Sequence, residues 1–325
     1  MVRSAILAGF VLALGTSAFA GEPASKDFSS RSELYPIHTL TLSDKQFLTG
    51  DAQAKVTEIS GVLRLPPGEG RFPVVVLMHG SGGMGPNIEF WQREFNEIGV
   101  ATFAIDGFTG RGLTQTSTNQ AALGRLNFIL DIYRSLDVLA KHPRVDRQRV
   151  ALMGFSRGGQ AALYASLTRF HKMWNKSGIE FAGYIPFYPD CATTFVGDTD
   201  VDKPIRIFGG TPDDYNPIAL CKAYAERLKA AERDVQVTEY PNAPHAFDSP
   251  LFPTTPFVSP KSQTVRHCNI REENGGVLIS VSGGQPFTYQ DPCVEYGPHL
   301  GHDAEATRQA KDAVTAFVRT LFKLD

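Results

Sequence analysis

Apolar positions along the chain fall into short runs separated by polar, turn-rich segments. Residues 38–42 and 56–65 alternate apolar and polar side chains, the period of a strand with one buried face. Residues 72–78, Phe-Pro-Val-Val-Val-Leu-Met, are continuously apolar, as a strand buried on both faces requires. Similar short runs predict strands at 100–105, 149–153, 184–188, 204–208 and 235–240. Between them the period changes. Leu123, Leu126, Ile129, Leu130, Ile132, Tyr133, Leu136 and Leu139 recur at helical spacing and predict a helix over 121–141. Further helices are expected at 90–98, closed by Gly99, and at 160–170, 218–231 and 304–322. Residues 21–36 are polar and predict no element.

Strands alternating with helices imply an α/β fold: a mainly parallel central sheet with helices on both faces. In such folds ligands sit beyond the carboxyl ends of the strands, so chemistry is to be sought in the loops that follow them. Without a linker or an internal repeat, residues 21–325 read as one domain. A cysteine-bearing insertion at about 249–302 precedes the last helix.

Composition narrows the class. Of 325 residues 42% are hydrophobic and 20% charged, which excludes a disordered chain and a multi-span membrane protein. Lys and Arg number 32 against 34 Asp and Glu, so the chain lacks the basic excess that nucleic-acid binding needs. Residues 1–20 carry Arg3, a short apolar run from Ala5 to Leu14, and Ala18-Phe19-Ala20. This is the pattern of a secretory signal peptide cut after Ala20, and it implies a periplasmic or secreted protein with no stable membrane insertion. Export changes how Cys191, Cys221, Cys268 and Cys293 are read, because disulfides persist in oxidising compartments. Three pairings are possible. Cys191–Cys221 and Cys268–Cys293 are expected, since the latter two share the insertion. A metal site built from His267, Cys268, Cys293, His299 and His302 competes, but these residues match no tight ligand spacing.

One motif sits where chemistry is expected. Gly154-Phe-Ser156-Arg-Gly158 follows the 149–153 strand and opens a helix, so Ser156 is a candidate nucleophile on a tight strand–helix turn. A serine nucleophile needs a base. His245 follows the 235–240 strand and lies downstream of the serine; His79, His299 and His302 fit less well. Asp213, after the 204–208 strand, is the expected orienting carboxylate, with Asp214 as the alternative. Oxyanion donors are expected from the Arg157 backbone N–H and from the loop His79-Gly-Ser-Gly-Gly83, at Ser81 or its neighbours Gly80 and Gly82. Met84, Phe108, Tyr188 and Phe247 are candidates either for an acyl pocket or for ordinary core.

Five segments resemble the dienelactone hydrolase family of α/β-hydrolases: HGSGG at 79–83, DGFTGRG at 106–112, GFSRGG at 154–159, GTPDD at 210–214 and YPNAPHAFD at 240–248. The resemblance implies an eight-stranded, largely parallel sheet and a triad of Ser156, Asp213 and His245. It implies hydrolysis of a small-molecule ester or lactone with no cofactor or metal. The family's founding enzymes use cysteine where this chain has Ser156, which favours a general serine esterase. The alternatives are a non-catalytic scaffold that binds a ligand or partner, and an acyltransferase or peptidase using the same triad. Arg111 either meets a substrate carboxylate or pairs with Asp106 or another neighbour. The insertion is either a rim of the site or a surface excursion. Oligomeric state is left open.

Overall fold

A computed structural model describes residues 31–324. The expected signal peptide lies outside these residues. The elements in chain order are β1 (Arg31–Thr41), α1 (Asp44–Thr49), β2 (Lys55–Leu65), β3 (Phe72–Met78), α2 (Pro86–Glu97), β4 (Ala101–Asp106), α3 (Asn127–Leu139), β5 (Val145–Phe155), α4 (Arg157–Tyr164), α5 (Thr168–Trp174), β6 (Tyr184–Phe187), β7 (Thr193–Thr194), β8 (Ile205–Gly210), α6 (Ile218–Ala230), β9 (Val235–Tyr240) and α7 (Ala304–Phe322). Eight strands form one sheet in the order β1-β2-β4-β3-β5-β6-β8-β9. The β1–β2 and β2–β4 pairs are antiparallel, and all later pairs are parallel.

Alternate residues of the central strands feed two cores. Val74, Val76, Met78 and Leu152 face one, together with α3, α4 and α6. Val75, Leu77, Met153 and Phe155 face the other, under α2 and α7. This explains the continuously apolar run at 72–78: both sides of β3 are buried.

Several boundaries differ from the sequence reading, among them the start of α2 at Pro86 rather than 90 and of β5 at Val145 rather than 149. β1 starts at Arg31, inside the stretch read as polar, because it is an edge strand paired with β2 along its whole length and needs apolar side chains on one face only. The 121–141 helix is α3 alone. Leu123 and Leu126 are buried, but from a loop rather than from a helix. The 160–170 helix is two helices, α4 and α5, divided where Leu167 turns extended at φ −69° and ψ 120°.

The insertion folds into small β-structure: β10 (Phe257–Val258), β11 (Gln263–Thr264), β12 (Ile270–Glu273), β13 (Val277–Ser280), β14 (Gln285–Pro286), β15 (Glu295–Tyr296) and β16 (His299–Leu300). β12 pairs with β7 and so joins the insertion to the loop after β6. Cys268–Cys293 closes the insertion on itself, and Cys191–Cys221 ties the loop after β6 to α6. Both bonds are the expected ones, so neither Cys268 nor Cys293 is a free thiolate for a metal. The insertion also bonds to the main domain: Thr264 Oγ1 donates to the Tyr215 carbonyl at 2.7 Å, and the Arg266 guanidinium donates to the Asp214 carbonyl at 2.8 Å. It borders the strand ends and is not a detached excursion.

Candidate active site

Ser156 sits between β5 and α4 with φ 54° and ψ −114°, a region that side-chain-bearing residues rarely occupy. Such a conformation costs about 1–3 kcal/mol and survives only where its surroundings enforce it. The flanking glycines do so by permitting close packing. A Cβ on Gly154 would lie 2.0 Å from the Gly158 carbonyl oxygen, and one on Gly158 would lie 2.1 Å from the Met78 oxygen. The turn therefore brings α4 against the end of β3. Helix α4 starts at Arg157, so its first amides have no intrahelical acceptor and face any charge placed over the turn.

His245 lies in the loop after β9, 2% exposed. Its Nε2 is 2.9 Å from Ser156 Oγ and its Nδ1 2.8 Å from Asp213 Oδ2. A carboxylate only accepts, so Nδ1 carries the proton, and Nε2 is free to accept from the serine hydroxyl. The ring is held between Tyr188, 4.8 Å away edge-on, and Tyr215, 4.6 Å away. The other Asp213 oxygen accepts the amides of Tyr215 and Asn216, each at 2.9 Å. Three hydrogen bonds thus fix the buried carboxylate in place against the imidazole. Asp214 turns away to Arg266 and His299.

The Gly-rich loop after β3 closes the other side. Gly80 is so near the nucleophile that a Cβ there would lie 3.2 Å from Ser156 Cβ. Ser81 Oγ donates to Gln120 Oε1 at 3.0 Å, and the Arg157 guanidinium donates to the same oxygen at 2.9 Å. Gln120 therefore links the two expected oxyanion donors, a role nothing in its sequence context signals. His79 braces the loop: its Nδ1 donates to the Gly80 carbonyl at 2.8 Å, and its Nε2 accepts the Gly107 amide at 3.1 Å. Burial pushes its imidazole down to about 4.

A groove of about 460 Å³ opens over Ser156 and His245, with Met84, Tyr188, Phe252 and Phe257 on its walls. Phe108 and Phe247 do not line it. Phe108 packs on His79 and Phe128, and Phe247 on Phe187 and Tyr240, both as core. A larger hollow of about 900 Å³, along β1 and α3, contains neither Ser156 nor His245. Arg111 is buried in a two-pronged pair with Asp131, at 2.7 and 2.9 Å, and does not reach this groove. Asp106 instead accepts from Phe108 and Thr109. His302 Nδ1 donates to the Phe247 carbonyl at 2.7 Å, and exposed His267 lies 3.6 Å from Glu295. Sequence reasoning missed Asp248, a fully buried carboxylate that accepts from Trp91 Nε1 at 2.7 Å and from the Tyr188 hydroxyl at 2.6 Å. Its place three residues after His245 is the only signal that pointed there.

A mainly parallel sheet carrying a serine on a strained strand–helix turn, with histidine and aspartate on later strand ends, defines an α/β-hydrolase fold. The model of the dienelactone hydrolase family matches residues 59–261, more than half of the chain, and the protein belongs to that family. Esterase FrsA of Enterobacter sp. (strain 638) is 32% identical over 113 residues, which cover 32% of this chain and 24% of that protein. The chain thus spans about a quarter of the length of that relative. A dienelactone hydrolase-like promiscuous phosphotriesterase from metagenomic libraries is similar in structure, with a TM-score of 0.57 at 19% identity over 90% of this chain and 98% of that one. The protein named m3DLH has a TM-score of 0.58 at 18% identity over 90% and 99%. Both likenesses are of fold.

Proposed function

We propose that the mature chain, residues 21–325, is an exported serine hydrolase that cleaves carboxylic esters or lactones through an acyl-enzyme. The observation that carries this reading is the unbroken hydrogen-bond chain from Ser156 Oγ through His245 to Asp213, at 2.9 and 2.8 Å. Membership of a hydrolase family and partial similarity to an esterase support it. Two disulfides support an oxidising compartment. Among the described residues no helix is long and apolar enough to cross a membrane.

In this mechanism His245 Nε2 takes the Ser156 proton as the oxygen attacks the ester carbonyl. Asp213 holds the imidazolium that forms. The Ser81 and Arg157 amides receive the oxyanion, a contribution of about 2.7–4 kcal/mol per donor in such sites. Collapse expels the alcohol with the proton from His245. Water then attacks the acyl-enzyme by the same route, restoring the serine and releasing the acid. Ser156→Ala is expected to lower turnover of short acyl esters by about a millionfold and to abolish fluorophosphonate labelling. Unchanged turnover in that variant overturns the reading.

A further inference from the structure

Two spaces meet at Ser156, and their chemistry differs. Among the described residues the 460 Å³ groove is lined by His245 and by no Lys, Arg, Asp or Glu side chain. The second space is a chamber of about 30 Å³, bordered by Ser81, Ser156, Arg125, Arg157, Gln160 and Tyr289 among others, but not by His245. It has room for roughly two water-sized groups.

The chamber walls carry surplus donors. Arg125 Nε, Arg157 Nε and Gln160 Nε2 are buried without a hydrogen-bond partner among the described residues. Their residues are 4%, 6% and 4% exposed. Buried donors are rarely left unpaired in folded proteins, so three on residues that border one small space favour an acceptor there. Arg125 is neutralised by Asp190 at 2.6 Å. Among the described residues Arg157 donates to neutral oxygens, from Thr116, Gln120, Leu123 and Gly124. The chamber is therefore rich in donors, with the Asp190 carboxylate also on its wall.

The proton path assigns the two spaces. The leaving oxygen must collect its proton from His245 Nε2, so the alcohol side of the ester lies on the histidine side of Ser156. That is the groove, and the chamber, which borders Ser156 but not His245, is the space on the other side of the serine for an acyl group. We infer that this chamber is an acyl subsite for a short acyl group carrying an acceptor oxygen beside the ester carbonyl, while the groove takes an uncharged, apolar alcohol. The inference rests on the ester-hydrolase reading and adds its substrate class.

The test uses phenyl acetate, propionate, glycolate and hexanoate, followed by phenol release, with each kcat/KM divided by the rate of hydroxide-catalysed hydrolysis. Glycolyl and propionyl have the same shape and differ only in the hydroxyl oxygen. The glycolate is expected to exceed the propionate by about tenfold, the worth of one hydrogen bond to a buried donor. Hexanoate is expected to be the poorest substrate. Gln160→Met keeps the volume, removes a donor, and should shrink the glycolate preference. The wild-type comparison needs no variant, so a poorly folding variant does not spare the inference. Turnover with equal glycolate and propionate rates, or with hexanoate as fast as acetate, overturns the subsite alone. No turnover on any ester, with Ser156 unlabelled by a fluorophosphonate, overturns the hydrolase reading and the subsite with it.

Discussion

Asp213 and Asp214 are adjacent in the chain and serve opposite partners. Asp213 turns into the interior to meet His245 Nδ1 at 2.8 Å, while Asp214 turns outward to Arg266 at 3.1 Å and His299 at 2.9 Å. The first carboxylate is 1% exposed and the second 37%. Asp213→Asn is expected to lower kcat by about 10⁴-fold, because the amide stabilises the wrong imidazole tautomer. Asp214→Asn should leave kcat within a few-fold of wild type. Steady-state rates on one phenyl ester distinguish them; equal losses contradict the assignment.

Tyr188 sits at φ 35°, between the imidazole of His245 and the buried carboxylate of Asp248. Burial raises the Asp248 carboxyl, and its donors Tyr188 and Trp91 oppose that rise. Tyr188→Phe keeps the ring against His245 but removes one donor. The expected loss is about 1–3 kcal/mol of stability, read as a lower urea midpoint. A midpoint equal to wild type would show that the hydroxyl is dispensable.

His79 ties acid stability to the loop beside the serine. Burial holds its folded value at about 4, below the ordinary 6.5. Between these values the unfolded chain takes up the proton and the folded chain does not. This contribution is therefore fully present above pH 6.5 and is lost as pH falls toward 4. The loss reaches about 3 kcal/mol at 1.36 kcal/mol per pH unit. His79→Gln, which titrates in neither state, should show a smaller fall in unfolding free energy from pH 7 to pH 4.5. An equal fall in the two proteins counts against a buried neutral His79.

Cys268 and Cys293 close a loop across 25 positions within the insertion. Replacing both with Ser is expected to destabilise the protein by about 3 kcal/mol through the freed unfolded chain. Ester turnover at low temperature should persist, since Ser156, His245 and Asp213 lie outside that loop. Loss of stability with retained turnover, measured by thermal melting and phenol release, is the expected pair of outcomes.

Much of the fold was legible because burial leaves a direct mark on sequence. β3 lies in the sheet interior and reads as an unbroken apolar run, and the spacing of α7 from Ala306 to Leu321 matches the observed helix. Ser156 was legible because its turn demands glycine at 154 and 158. The errors came where burial and secondary structure separate. Leu123 and Leu126 are core residues in a loop, so their spacing imitated an extension of α3. For Phe108 and Phe247 the sequence leaves pocket and core both open, because their direction depends on neighbours such as Phe128 and Phe187.

The chain alone determined the alternation of strands and helices, the strained turn at Ser156 and the order of serine, acid and histidine along it. Periodicity and glycine requirements are local, so they are written in consecutive residues. Tertiary structure alone decided which of two neighbouring aspartates faces His245, that Gln120 bridges Ser81 and Arg157, and that residues 249–302 border the groove. Those outcomes depend on side-chain direction and on contacts between segments distant in sequence, which packing sets and no local pattern records.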